Sequence, residues 1–544
     1  MTSTPKIFLL VCLAGLGLNR YINNEPAISP FMQTSNPVHP SAISVPQEPD
    51  LRIDGARFVD FFRRYPLMSD YQENLKSFYA KRRYTYAWFE RNHLVEQATI
   101  WSNRLLNVEA EGVYKHFPYQ KKLDSLLDNV KVKANIKTPD LDLELLLTCS
   151  YFEYSKLVWN GMDDAASRSA NWLIPRKAIT YDQYLDSILK TPANKSYPSG
   201  PVYRQYELLR TELEKYRQLE SEEWKPIRGA AESARLGDKS EILLKIKARL
   251  FKLGDYRADT SNNNFDQSLF LAIQRFQERN GLIANGRLNP QTMAELNVPI
   301  KGRIKQIIVN MERSRWLPLQ VAGDYIAVNI PEFRMHVYHA DSLLWSCNAV
   351  VGQTIHPTTQ FYGEIKYIMF SPYWNVPPGI LKNEVLPAME KDPNYLASHQ
   401  MEIADYQGGM PVIRQKPGPT NALGQVKFMF PNSYNIYLHD TPAKSLFSEA
   451  SRAFSHGCIR ISEPAKLAGF LLRNKQEWSP DKIRVAMRSG KEKQVVLSKP
   501  VPVFIAYFTA FVDRDNRLNF RKDIYNLDNR LAEMITSGND HLRK

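Results

Sequence analysis

Cysteine is scarce in this chain: four in 544 residues, Cys12, Cys149, Cys347 and Cys458. Cys12 lies in an apolar N-terminal run and the other three are far apart, which argues against a disulfide framework and leaves an odd thiol for chemistry. Long apolar runs are missing too. Residues 7–18 follow a single Lys6 and fall short of the ~20 residues that span a bilayer, so they read as a secretory signal, with an uncleaved anchor and membrane tether as the alternative. No recognition-helix pattern, paired zinc-knuckle spacing or aromatic RNA-binding signature is present, which sets nucleic acid aside as a partner. There is no internal repeat.

What is present is an ordinary globular composition, 43% hydrophobic, 11% aromatic and 24% charged, in a chain well beyond the ~250–300 residues at which one core stops growing. Several domains are therefore expected. The formal net charge of +14 and pI near 9.3 favour an acidic polymer as partner: anionic lipid or a carboxylate-bearing wall polymer, once nucleic acid is set aside.

Read in order, residues 1–20 form the signal or anchor and 21–50, rich in Pro, Ser and Asn, a flexible linker. Apolar residues at helical spacing mark 51–236 as a helical scaffold, with Leu143, Leu146, Leu147, Tyr151, Tyr154, Leu157 and Val158 as one core-facing stripe. Its aromatics Phe61, Phe62, Tyr79, Tyr84, Tyr86, Trp88 and Phe89 read as helix packing rather than a glycan groove. Three short helices separated by Gly-marked turns follow in 239–299, the last with Asn289 as N-cap and Pro290 at its first position. Residues 300–318 read as a linking helix.

Periodicity then changes to that of strands. In the expected β-rich domain, 319–500, residues 325–338 and 343–352 pair as a hairpin, and a proline-rich stretch around Trp374 opens an insertion over about 372–424 that serves as a lid. Strands resume at 426–430 and 434–439. Residues 463–474 are helical, 483–487 and 495–497 short strands, and 501–544 a closing hairpin and tail. The fold class is multidomain α+β.

The chemistry centres on Ser455-His456-Gly457-Cys458. A thiol becomes nucleophilic beside an imidazole, and two are offered: His456, on the same face of an extended strand, and His439, nineteen positions upstream. Spacing does not choose between them. The amides around Gly457 and Cys458 suit an oxyanion hole, with the Tyr437 hydroxyl as a further donor. Strand alternation turns the Asp440 side chain away from His439, leaving a backbone carbonyl as the orienting acceptor. Arg452 and Arg460 suit a substrate carboxylate or a structural ion pair equally. A buried inert thiol, or a metal held by His439, His456 and Cys458, are the competing readings.

Two resemblances narrow this. The pattern Gly254-Asp255, Ala272-Ile273…Phe276-Gln277, Gly281-Leu282…Gly286 and Thr292…Leu296-Asn297 resembles a three-helix peptidoglycan-binding domain. His439 with Ser455-His456-Gly457-Cys458, and with Gly418-Pro419-Thr420-Asn421, Lys427-Phe428 and Tyr437-Leu438-His439-Asp440-Thr441-Pro442, resembles the catalytic domain of the L,D-transpeptidases, over at least residues 323–510. Arg460 stands where many members carry Asn, as in the large exported members with a helical scaffold, a wall-binding insert and a lid. Thr358-Thr359 departs from a more usual Thr-Pro and is expected to touch no chemistry.

The resemblance implies a periplasmic enzyme without metal or cofactor, acting on peptidoglycan stem peptides and glycan. Cys458 would attack the diaminopimelate carbonyl of a tetrapeptide stem and His439, oriented by the Asp440 carbonyl, would be the base. Gly457 and Cys458 amides would hold the oxyanion, and Tyr437, Ser455, His456, Arg452, Arg460 and Trp374 would line the substrate. Resolution by a second stem's amine gives a cross-link. Resolution by water or a protein amine, or a non-catalytic wall-binding scaffold, are the alternatives.

Overall fold

The computed structural model describes residues 52–536, apart from 91–92, 133–137, 178, 193–199 and 230–233. The signal, anchor and linker expectations fall outside the described residues.

The scaffold is built round the helix Leu141–Tyr154, capped by the Asp140 carboxylate on the Leu143 amide. Leu143, Leu146, Leu147, Tyr151 and Tyr154 of the expected stripe are buried there, with Val158 buried and Leu157 half-buried in the turn that follows, but so are most of the residues between them, because helices pack on every side. Glu144 lies inside, accepting from the Ala87 and Trp88 amides and the Tyr79 hydroxyl. Phe61, Phe62, Tyr79, Trp88 and Phe89 are core, so the aromatics pack. Three short strands accompany the helices: β1 (Phe89–Glu90), β2 (His93–Leu94) and β3 (Trp172–Leu173).

The helices Glu241–Lys252, Gln267–Arg279 and Pro290–Leu296 enclose their own small core of Leu243, Ile246, Leu250, Leu269, Ile273, Phe276 and Leu296. Asn289 caps the third by accepting from the Thr292 amide at 2.8 Å. The helix Ile300–Trp316 does more than link: it is buried along most of its length and carries internal ion pairs, Arg315–Glu312 at 2.6 Å and Arg313–Asp528 at 2.7 Å.

The β-rich region is a closed barrel. Its strands are β4 (Asp324–Asn329), β5 (Arg334–His339), β6 (Ser342–Gly352) and β7 (Gln360–Phe370). After the lid strands β8 (Trp374–Asn375), β9 (Met401–Gln407) and β10 (Met410–Gln415) come β11 (Val426–Met429), β12 (Leu438–His439), β13 (Ala453–Ser455), β14 (Ile459–Ile461) and β15 (Lys493–Ala506). Neighbours run β11-β12-β14-β6-β5-β4-β15-β7, and β7 pairs again with β11, so eight strands close without a free edge. The barrel interior holds Ile326, Val337, Ile368, Phe428, Leu438, Ile459 and Val503. β3 adds to the outside of β7, joining scaffold to barrel.

Four expectations are corrected. Residues 325–338 are two strands, since Pro331 and the left-handed Phe333 (φ 56°) break the run into a tight turn. Residues 483–487 are helix, Pro480–Arg488, capped by Ser479. The barrel continues past residue 500: β15 carries Pro500 through a bulge between Val496 and Val501 where pairing with β7 lapses. The closing hairpin is β16 (Ala510–Val512) with β17 (Leu518–Phe520), and the tail contains a helix, Leu527–Thr536.

The insertion over 372–424 is a small body of its own, a β8-β10-β9 sheet against the helical segment 378–391, with Val376, Leu381, Val385 and Ile413 as its core.

Candidate functional site

Between insertion and barrel lies a cavity of about 610 Å³. Trp374, Pro377 and Glu384 line it from the insertion, and Lys427, Tyr437, His439, Ser455, His456, Cys458 and Arg460 from the barrel. Register explains the convergence. Leu438 pairs with Ile459 and His439 with Arg460 across the parallel β12–β14 ladder. Since Leu438 and Ile459 point into the core, strand alternation sends Tyr437, His439, Cys458 and Arg460 to the outer face.

His439 is 4% exposed, and its Nδ1 lies 2.5 Å from the Asp440 carbonyl oxygen. This contact puts the ring proton on Nδ1 and leaves Nε2 as the acceptor. The Asp440 carboxylate faces away, accepting from the Gln425 amide at 2.9 Å and pairing with Lys444. It packs on Gly424, where φ is +63° and a Cβ would fall 2.5 Å from the Asp440 carboxyl carbon. Burial and the Arg460 guanidinium hold the His439 imidazole down at about 3, so it is a neutral base.

Cys458 is half-buried, whereas Cys149 and Cys347 are buried. Its thiol donates to the Asn435 carbonyl at 3.5 Å and makes no hydrogen bond to His439 in this resting arrangement. Burial pushes the thiol up, opposed by Tyr437, which meets the sulfur through its amide and hydroxyl, and by Arg460. The resting pair is thus a neutral thiol and a neutral imidazole.

The turn between β13 and β14 is held from within. Ser455 Oγ donates to the Cys458 carbonyl at 2.5 Å and accepts from the Gly457 amide at 3.1 Å. Gly457 has φ +112°, which only glycine adopts freely. Its amide is therefore taken, correcting its expected part in an oxyanion hole; of the nominated donors, the Cys458 amide and Tyr437 hydroxyl remain. Thr358 Oγ1 donates to the Gly457 carbonyl at 2.8 Å. Thr358, the member of the Thr358-Thr359 pair that keeps the usual residue, thus braces this turn.

His456 does not join the thiol. The turn swings its ring toward the insertion, where Nε2 lies 3.1 Å from Glu384 Oε1 and the ring lies tilted against His356, centroids 5.2 Å apart. His439, His456 and Cys458 therefore do not converge as a metal set. Arg452 is also removed from the site: it donates to the carbonyls of Glu449 and Phe333 and lies over the Phe333 ring, bracing the β4–β5 turn. Trp374 lines the cavity from β8.

Sequence reading missed Lys427, Glu384, Asn435 and Thr358. Lys427 and Thr358 carried a signal, their places in motifs, while Glu384 is brought in by the insertion and Asn435 by a loop carbonyl.

Comparison with known proteins places these features. Residues 323–496 match the L,D-transpeptidase catalytic domain, residues 73–213 a scaffold domain, and residues 239–296 a domain described as "Putative peptidoglycan binding domain". A "Putative L,D-transpeptidase" of Haemophilus influenzae is 30% identical over 306 residues, 52% of this chain and 62% of that protein, so the match spans less than two thirds of the relative's length. Among solved structures, an L,D-transpeptidase (residues 123–326) from Xylanimonas cellulosilytica is 13% identical with a TM-score of 0.19, covering 51% of this chain and all of that one. One from Stackebrandtia nassauensis is 13% identical with a TM-score of 0.21, covering 51% of this chain and 97% of the other.

Proposed function

We propose that this chain, which carries an L,D-transpeptidase catalytic domain, cross-links peptidoglycan by acyl transfer through a Cys458 thioester. The observation that carries the reading is the convergence of a half-buried thiol, a neutral imidazole fixed by a carbonyl, a tyrosine hydroxyl and an arginine in one lidded cavity.

In the donor step the thiol proton passes to His439 Nε2 as sulfur attacks the diaminopimelate carbonyl of a tetrapeptide stem. The tetrahedral oxyanion is met by the Cys458 amide and the Tyr437 hydroxyl. Collapse breaks the bond to D-alanine, whose nitrogen takes the proton from His439. A side-chain amine of a second stem then attacks the thioester, gives a proton to His439 and returns the thiol. His439, poised neutral, suits both directions of transfer. The three-helix domain holds the enzyme on the polymer, and the N-terminal run directs it to the periplasm, where that polymer lies.

The test is mass spectrometry of purified tetrapeptide muropeptides incubated with the protein. Expected is a dimer lacking one D-alanine, absent with Cys458→Ala, together with a covalent carbapenem adduct on Cys458. A wild-type protein giving neither adduct nor product would overturn the reading, and a monomer merely shortened by D-alanine would make it a carboxypeptidase.

A further inference from the structure

The outer face of the barrel carries a second pattern one step from the thiol. Lys427 on β11 stands directly opposite His439 on β12, and His439 directly opposite Arg460 on β14. Their strand neighbours Phe428, Leu438 and Ile459 point into the core, so cation, imidazole and cation form one transverse row facing the cavity. Adjacent strands lie about 4.8 Å apart, which leaves two long side chains flanking the ring within reach of one small anion.

Neither cation is spent on the protein. Among the described residues no hydrogen bond or ion pair engages the Lys427 ammonium, and Arg460 Nε is buried without a partner. The other charged groups around the row are occupied or remote. Glu384 of the lid pairs with His456, and Asp440 with Lys444. Glu492 reaches Lys427 only through space, and Cys458 and Tyr437 stand one step along the same face. Two half-buried cations side by side without a counter-ion are costly to hold. That cost points to a missing anion.

We propose that Lys427 and Arg460 form one anion subsite that takes a carboxylate of the donor stem, and that filling it strengthens His439 as the base. The identity of the anion as a stem carboxylate rests on the transpeptidase reading; the subsite does not. In the empty site Arg460, and to a lesser degree Lys427, disfavour a charged imidazole. A carboxylate between them cancels that field at the imidazole, so His439 takes up a proton more readily when a donor is seated. The thiol stays protonated and unreactive in between.

Two alkylating agents of similar shape separate charge from reactivity: iodoacetate and neutral iodoacetamide. Each forms an S–C bond at Cys458, expels iodide and releases the thiol proton. In the full chain, Lys427→Met and Arg460→Met should each lower the ratio of the iodoacetate to the iodoacetamide rate constant by about tenfold, a fraction of one full charge contact near a protein surface. Lys427→Arg should restore iodoacetate selectivity. Acetate, against chloride at equal ionic strength, should move the iodoacetamide pH–rate profile to lower pH in the wild type and not in Lys427→Met. An equal change for both reagents, or an acetate shift that survives in Lys427→Met, would overturn the proposal. Failure of the muropeptide assay with this selectivity intact would remove the transpeptidase reading and leave the subsite standing.

Discussion

Glu384 Oε1 sits 3.1 Å from His456 Nε2, so the histidine beside the nucleophile is bound to the lid and not to the thiol. Both side chains are well exposed, at 40% for His456 and 54% for Glu384, so the pair steadies a position more than it stabilises the fold. His456→Ala and Glu384→Gln are expected to raise KM and to speed amide hydrogen exchange in residues 381–391, while retaining most of kcat. A loss of kcat in His456→Ala as complete as in Cys458→Ala would make His456 the base.

His439 gives a stability signature. Its folded-state pKa, held near 3 against an ordinary 6.5, means that the unfolded chain binds a proton the folded chain refuses between those values. Its contribution is complete above pH 6.5 and is lost progressively as pH falls toward 3, by at most about 1.4 kcal/mol per pH unit. Urea denaturation from pH 7 to 4.5 should show a steeper loss in the wild type than in His439→Gln, and parallel curves would contradict a buried neutral ring.

The catalytic turn should be sensitive to two hydroxyls. Ser455→Ala removes the bond to the Cys458 carbonyl and the acceptor of the Gly457 amide, and Thr358→Val removes the donor to the Gly457 carbonyl. Each is expected to lower stability by about 1–3 kcal/mol and to slow carbapenem acylation. Chemical denaturation and stopped-flow acylation measure the two effects separately.

Arg452 should behave oppositely to Arg460. Burial lowers its guanidinium to about 10, and its two terminal nitrogens donate to backbone carbonyls while Nε is buried without a partner. Arg452→Met is expected to lower Tm while leaving KM for tetrapeptide stems unchanged, as measured by thermal denaturation and steady-state kinetics. A selective rise in KM would return Arg452 to the substrate.

Local signals were the legible ones. Asn289-Pro290 announces a helix start and the structure contains it. Cys458 in a glycine turn was readable as a candidate nucleophile and His439 at a strand end as one of two candidate bases, and the alternation that turns the Asp440 side chain away was enough to nominate a backbone carbonyl as the acceptor for the ring. The Ile483–Met487 stretch was misread because a short β-branched run looks like a strand, although Ser479-Pro480 before it is a helix start. Residues whose place depends on distant pairing stayed hidden. Lys427 becomes a neighbour of His439 only through the register of β11 on β12, and Glu384 meets His456 only because the insertion folds back. The barrel's closure past residue 500 was obscured by Pro500, which a bulge accommodates, and by Pro502, which stays in register opposite Glu364.

That last strand has a consequence for how the molecule is made. β15 lies between β4 and β7, pairing with β4 through residues 503–506 and with β7 from Lys493 to Ile505. In chain order Cys458, His439 and the whole insertion precede the stave that seals the barrel. Without it β4 and β7 are open edges and the nucleophile has no rigid wall behind it. The barrel therefore closes only when residues 493–506 are in place, the last of its eight strands in chain order. A fragment ended at residue 496, the limit of the matched catalytic domain, would keep every catalytic side chain and lack the stave.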